Sequence, residues 1–301
     1  MRIAVITKSF SPDYELCAAL NRSVLENSPE TVEHHIIVPQ SDRKLFSSLA
    51  GPRTRIRCDA EFLPSNFVHV PFSNITVNLS KPYPPVRGWI QQQIVKLAAV
   101  ANSDCDAVVT ADSDVEFIRP FDADTFVRDG AVRFFRKLDQ IDERLPRQII
   151  WHRVAHTLLG LPPEEPPFPD YISSPLAWNP IVARQMFERI ESVTGKPWYT
   201  ALAGRLDFSE CVLYGVFADN VCGPPANSFA SDDALCLPCW ASTPLNLDTI
   251  ATLVRDVRPT DIAAFIQSKS RTSKEVREAA FAALRSAHAQ KSAVTAPAKD
   301  A

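Results

Sequence analysis

Ile3-Ala4-Val5-Ile6-Thr7 is a short, unbroken apolar run, the pattern of a strand buried on both faces. Ser11 or Asp13 is placed to cap the next helix, whose apolar positions Leu16, Leu20 and Val24 fall four apart on one face. His35-Ile36-Ile37-Val38, ending at Pro39, predicts a second strand, and Arg55 to Cys58 a third. Lys81-Pro82-Tyr83-Pro84-Pro85 continues neither a helix nor a central strand and predicts an ordered loop. After Arg87-Gly88, the spacing of Ile90, Ile94, Leu97 and Ala101 predicts an amphipathic helix from Trp89, with Gln92, Gln93 and Lys96 on its other flank. Ala107-Val108-Val109-Thr110-Ala111 is another buried-type strand and runs directly into Asp112-Ser113-Asp114. This alternation defines an α/β fold, a mixed, mostly parallel sheet flanked by helices.

Beyond Pro120 the periodicity weakens. Prolines and acids from Leu161 to Asp170 separate Trp151-His152 from Tyr171-Ile172-Ser173. Residues 179 to 194 predict a helix with Ile181, Met186, Phe187 and Ile190 inward, and 209 to 218 are apolar enough to be buried. From Asp248 onward the pattern is helical, with Asp248, Thr260 and Thr272 as N-caps and Glu275 completing a capping box with Thr272. The Ala/Lys/Ser-rich end predicts disorder. The expected organisation is a ligand-binding half over 1–120, a second half of the same domain over 121–247, C-terminal helices over 248–288 and a disordered tail over 289–301.

Composition narrows the partners. With 46% hydrophobic and 22% charged residues the chain reads as globular. A formal charge of -3 lacks the basic excess that phosphate-backbone binding needs, so nucleic acid is not expected. The apolar run at the start is too short for a signal peptide before Lys8 interrupts it. No window approaches the ~20 apolar residues of a membrane helix, so the expected location is cytoplasmic, with any membrane association peripheral. Seven cysteines, an odd and scattered set, suit a reducing compartment. Cys236 and Cys239 form one Cys-x-x-Cys without a second ligand pair for zinc, and Pro238 and Trp240 break the helix that a redox motif would open.

The candidate chemistry lies at Asp112-Ser113-Asp114. Two carboxylates one residue apart, at the C-terminal end of a buried strand, can address one hard cation, Mn²⁺ or Mg²⁺, and leave positions for phosphate oxygens. Open α/β sheets bind ligands at that same edge. Strand alternation would send the two side chains to opposite faces, so the chain must turn here, which Asp-Ser-Asp favours.

Trp89-Ile90-Gln91-Gln92-Gln93-Ile94-Val95-Lys96-Leu97, with Asp112-Ser113-Asp114-Val115 and Phe117-Ile118-Arg119-Pro120-Phe121, resembles the core of a bacterial glycosyltransferase-like family of unknown function. Its members are similar to nucleotide-sugar transferases of GT-A fold. The likeness extends to Thr7-Lys8-Ser9-Phe10, Trp151-His152, Tyr171-Ile172 with Trp178, Phe208-Ser209-Glu210 and Leu213-Tyr214-Gly215, over about residues 1 to 245.

The resemblance implies a GT-A-like, Rossmann-like sheet. It implies a nucleotide-sugar donor held by Thr7, Lys8, Gln92, Gln93, Lys96, Asp112 and Ser113, and a metal held by Asp112 and Asp114. It implies a saccharide or other hydroxyl acceptor beside His152, Trp178 and Tyr214, with Trp240 a further stacking candidate. Glu210, a charge in an apolar stretch, becomes the candidate base that takes the acceptor's proton. A salt bridge to Arg205 and a helix-start charge next to Ser209 are the competing readings of Glu210, and Asp207 is its weaker rival. The late histidine that many GT-A enzymes add as a metal ligand is missing between Ser231 and Trp240, where Asp232 or Asp233 could substitute. Two other readings stand beside transfer: a haloacid-dehalogenase-like phosphatase with Asp112 as nucleophile, and a non-catalytic nucleotide-binding scaffold.

Overall fold

The protein is described by a computed structural model covering residues 1–70, 73, 75–222 and 227–295. Four strands, Ile3–Lys8, Glu33–Val38, Thr54–Cys58 and Ala107–Thr110, pair in parallel, and Leu176–Trp178 adds an antiparallel edge beside Ala107–Thr110. The first and fourth strands are buried at every position, as their unbroken apolar runs require. One face of the sheet carries Ile6 and Ile37 against Ile94, Leu97 and Val100 of the helix Gly88–Ala101. The other carries Val5 and Val109 against Leu20 and Val24 of the helix Tyr14–Asn27. Each such aliphatic side chain contributes about 2 kcal/mol when removed from water, so this sandwich is the main support of the sheet's carboxyl edge.

A second sheet departs from the expected helical C-terminal part. Ala263–Ile266, buried throughout, pairs antiparallel with Val115–Phe117 and parallel with Cys236–Cys239. Ala263-Ala264-Phe265-Ile266 is itself an unbroken apolar run too short for a helix. The helix Leu247–Asp256 is capped by Asn246, whose Oδ1 accepts from Thr249 N at 2.9 Å, so Asp248 is not its cap. Thr260 lies in the turn before the strand. The last helix, Lys274–Thr295, follows Ser273, whose hydroxyl accepts from Val276 N, while Thr272 accepts from Leu245 N. That helix continues through residues 289–295, which the sequence assigned to a disordered tail, and 296–301 lie outside the described residues.

Smaller departures have local causes. Ser11 lies in a 3-10 turn, and Asp13 heads the helix Tyr14–Asn27 without a side-chain capping bond. Ile181, at the start of the helix Pro180–Thr194, faces solvent. Unforeseen is a three-stranded antiparallel sheet of Phe67–His69, Ile75–Asn78 and Val86–Arg87. It leans on the start of the Gly88–Ala101 helix through the Thr76 hydroxyl, which donates to Gln91 Oε1. Phe67 meets Tyr199 edge-on at 5.9 Å. Among the described residues no helix is long and apolar enough to cross a membrane.

Candidate functional site

At the carboxyl edge of the parallel strands the chain turns as its Asp-Ser-Asp sequence requires. Val115 N donates to Asp112 O at 3.1 Å, closing a turn over Ser113 and Asp114. Asp112 N donates to Ser174 Oγ at 3.0 Å, and the Ser113 hydroxyl donates to Ser9 Oγ at 2.9 Å, which ties the turn to the loop after the first strand. The Asp112 side chain is half exposed.

Lys96 joins this turn to Glu210. Its Nζ lies 3.1 Å from Asp112 Oδ1 and 2.6 Å from Glu210 Oε1, and both Lys96 and Glu210 are buried. Burial pushes the ammonium down, and the two carboxylates outweigh it and hold Lys96 well above its ordinary range. Glu210 opens the helix Glu210–Phe217 after the cap Ser209, and its N–H donates to Gln93 Oε1 at 2.8 Å. The partner of Glu210 is therefore Lys96 and not Arg205. Gln93 and Lys96, three apart on one helix, hold the backbone and the carboxylate of the same residue.

Asp114 is held from the other side. Its Oδ2 accepts from Ser268 N at 2.9 Å, and its carbonyl accepts from Ile266 N at 3.3 Å and from Arg277 Nη2 at 3.2 Å. Arg277, buried on the last helix, also donates to Ile266 O at 2.7 Å. Burial, and then the like charge of Asp112, push the Asp114 carboxyl up to about 6, against the Ser268 N–H and the Arg277 charge.

A divalent ion suits these groups. Asp112 meets Lys96 through Oδ1 and Asp114 meets Ser268 through Oδ2, which leaves the other oxygen of each as a hard donor. Mg²⁺ and similar ions are commonly held by one or two carboxylates together with substrate phosphates. Among the described residues no third His, Cys, Asp or Glu joins them. Asp233 is occupied elsewhere, its Oδ1 accepting from Arg258 Nη2 at 2.8 Å and from Leu235 N at 3.0 Å.

Of the other expected residues, Lys8 lies at the same edge. Its Nζ donates to Ser9 O at 3.1 Å; burial pushes the ammonium down while Asp59 and Asp42 oppose it. Asp59, just past the third strand, accepts from Gln91 Nε2 at 3.1 Å. Gln92 is half-buried on the same helix. Thr7 faces away from the edge: fully buried, its hydroxyl meets His34 Nε2 at 2.9 Å, in a network with Asn21 and Thr54.

The three expected acceptor residues lie in the core. His152 stacks on Phe168 at 4.6 Å, and Trp178 stacks on Tyr214 at 5.1 Å, with the Tyr214 hydroxyl accepting from Asn179 N. Large apolar rings bury most area when packed on one another, so no ring face of Trp178 or Tyr214 meets solvent. An exposed aromatic wall stands instead one turn before Gln93. Trp89 lies 5.8 Å from Trp151, the Arg147 guanidinium lies over both rings at 4.8 and 5.2 Å, and Asp207 is 3.6 Å from Arg147. Trp240 is also exposed, edge-on to Phe265. Cys236 and Cys239 are buried, free thiols on a strand.

Sequence reasoning missed Ser174, Asp59, Ser268 and Arg277. Only Arg277 carries a signal, a lone cation among Val276, Ala280, Phe281 and Leu284.

Fold and site together define an α/β protein with an acidic turn at the carboxyl edge of a parallel sheet. The chain belongs to a family of unknown function, DUF6492, whose model matches residues 4–234. No curated protein matches it. The crystal structure of an active-site mutant of LgtC is similar over 93% of this chain and 95% of its own, at 13% identity and a TM-score of 0.46. A likeness of that degree lends no weight to a functional reading.

Proposed function

We propose that this chain is a metal-dependent glycosyltransferase that moves a sugar from a nucleotide-sugar donor to a hydroxyl acceptor, in the synthesis of a polysaccharide or glycoconjugate. One observation carries the reading: a buried lysine bridges the half-exposed Asp112 and the buried Glu210 at the sheet's ligand-binding edge. Asp112 and Asp114 would hold Mn²⁺ or Mg²⁺, whose charge offsets that of the departing diphosphate. Lys96 supplies a fixed positive charge to the same group. Lys8 and Asp59 line the crevice where the nucleoside end would lie. In an inverting transfer Glu210 accepts the proton of the attacking hydroxyl, which requires the Lys96 ammonium to turn toward the donor phosphates. The wall of Trp89, Trp151 and Arg147 supports an acceptor side one helical turn away.

Calorimetric titration with UDP, GDP, CMP and ADP, each with and without Mn²⁺, tests this. Metal-dependent binding of one nucleotide supports the transferase and identifies its donor class. Binding of none sinks it and favours a phosphatase acting through Asp112, whereas donor binding without turnover identifies the nucleotide-binding scaffold.

A further inference from the structure

The hairpin Phe67–His69 and Ile75–Asn78 is inverted relative to an ordinary surface hairpin. A sheet with one solvated face turns its polar residues outward. Here Thr76 and Asn78, 1% and 2% exposed, point inward onto Gln91 and Thr200. The outward face carries Val68 at 46% exposed and Ile75 at 37%, with Val70 beside Ile75 at 36%. The chain then continues through Leu79, 62% exposed, Lys81, and Tyr83, 81% exposed.

Charge is as uneven as hydropathy. From Phe62 to Ser103 the sequence holds no aspartate or glutamate, although the chain has 35, so this arm lacks the groups that an anionic surface would repel. Its cations Lys81 and Arg87 flank the apolar residues. Aliphatic side chains to bury shallowly, a tyrosine at the boundary and lysine or arginine beside them match the interface of a bilayer, and anionic lipid attracts such cations.

We propose that the outward face of this hairpin, with Leu79, Lys81 and Tyr83, docks the protein on an anionic bilayer surface. The inward face of the same arm reaches Gln91 and Thr200, and Gln91 reaches Asp59 at the crevice. Through Gln91 the docked arm is linked to Asp59 beside the third strand, which would bring the donor side toward a lipid-anchored acceptor, a corollary that rests on the transferase reading. The docking itself does not.

Flotation of the full chain with vesicles of phosphatidylcholine alone, or with added phosphatidylglycerol, is the test. The wild type floats with the phosphatidylglycerol vesicles and less so as salt is raised. The combined variant Val68→Ser, Ile75→Ser, Leu79→Ser, Tyr83→Ser loses about tenfold or more of that binding, with its circular dichroism melt unchanged. Lys81→Glu weakens binding to the anionic vesicles alone. Wild type that stays unbound, or a variant that floats equally well, overturns the proposal. A dimer in sedimentation that the same substitutions dissolve, without vesicle binding, overturns it in favour of a self-interface.

Discussion

Asp112 and Asp114 are two residues apart in the turn that joins two different sheets. Asp112 lies two residues past the last strand residue of the central parallel sheet, Thr110; it is half exposed, and its carboxylate meets a cation delivered by the helix that covers that sheet. Asp114 immediately precedes Val115, the first strand residue of the smaller C-terminal sheet; it is held by the N–H of Ser268, and the guanidinium of Arg277 grips its carbonyl. The first is placed where a ligand can reach it, the second where the protein fixes it. The turn is thus a splice, and its two ends should respond differently to substitution.

The largest effect should come on the central-sheet side. Lys96→Met leaves Glu210 buried without its cation and should cost about 3–5 kcal/mol, read from the urea midpoint. Adding Glu210→Leu should restore most of that loss; if the double variant is no more stable than the single, the pair is not the unit described here. Asp112→Ala should lower metal-dependent nucleotide affinity by roughly 100-fold, about 2.7 kcal/mol, with little change in melting temperature. Normal binding by that variant would remove Asp112 from the site.

Arg277→Met tests the other end. It should weaken Mn²⁺ affinity by about tenfold through the placement of Asp114, and Arg277→Lys should recover part of it. Equal loss of stability and no change in Mn²⁺ affinity would reduce Arg277 to a packing residue.

A pH-dependent effect concerns the far side of the central sheet. Burial depresses the His34 imidazole to about 3 from its ordinary 6.5, so the unfolded chain binds a proton that the folded chain refuses. This contribution is complete above about pH 6.5 and declines as pH falls toward 3. Asp114, raised to about 6, has the opposite sign over its lower part, because the folded state binds the extra proton there. The urea midpoint of wild type minus that of His34→Gln isolates the histidine, and the difference should shrink between pH 7.5 and 5. A difference independent of pH would mean that His34 binds its proton equally well in the folded and unfolded chain.

The two sheets also differ in how far the sequence exposed them. Unbroken apolar runs revealed the first, second and fourth strands of the central sheet, and the position of Asp-Ser-Asp after such a run gave the turn. The strand Ala263–Ile266 was obscured by flanking helical patterns, because its partners lie at 115–117 and 236–239 and no local period reports such pairing. The same distance concealed Ser268 and Arg277. Glu210 was legible as a charge in an apolar stretch, where burial demands a partner, and Lys96 as one of the polar positions on the other flank of its helix. Thr7, Trp178 and Tyr214 were misplaced because a hydroxyl or a ring that serves a ligand and one that serves the core read alike. The inverted hairpin was hidden because alternation states that a strand has two faces without stating which meets water.

The grip on Asp114 has a consequence for how the protein is made. A ribosome emitting about 5–20 residues per second finishes the parallel sheet long before Arg277 appears, since 163 positions separate that arginine from Asp114. For on the order of ten seconds the nascent chain carries a folded platform whose acidic turn is secured at one end only. Under the transferase reading the full grip on the metal would arrive only with the final helix, so an interrupted translation product would hold its ion about tenfold more weakly.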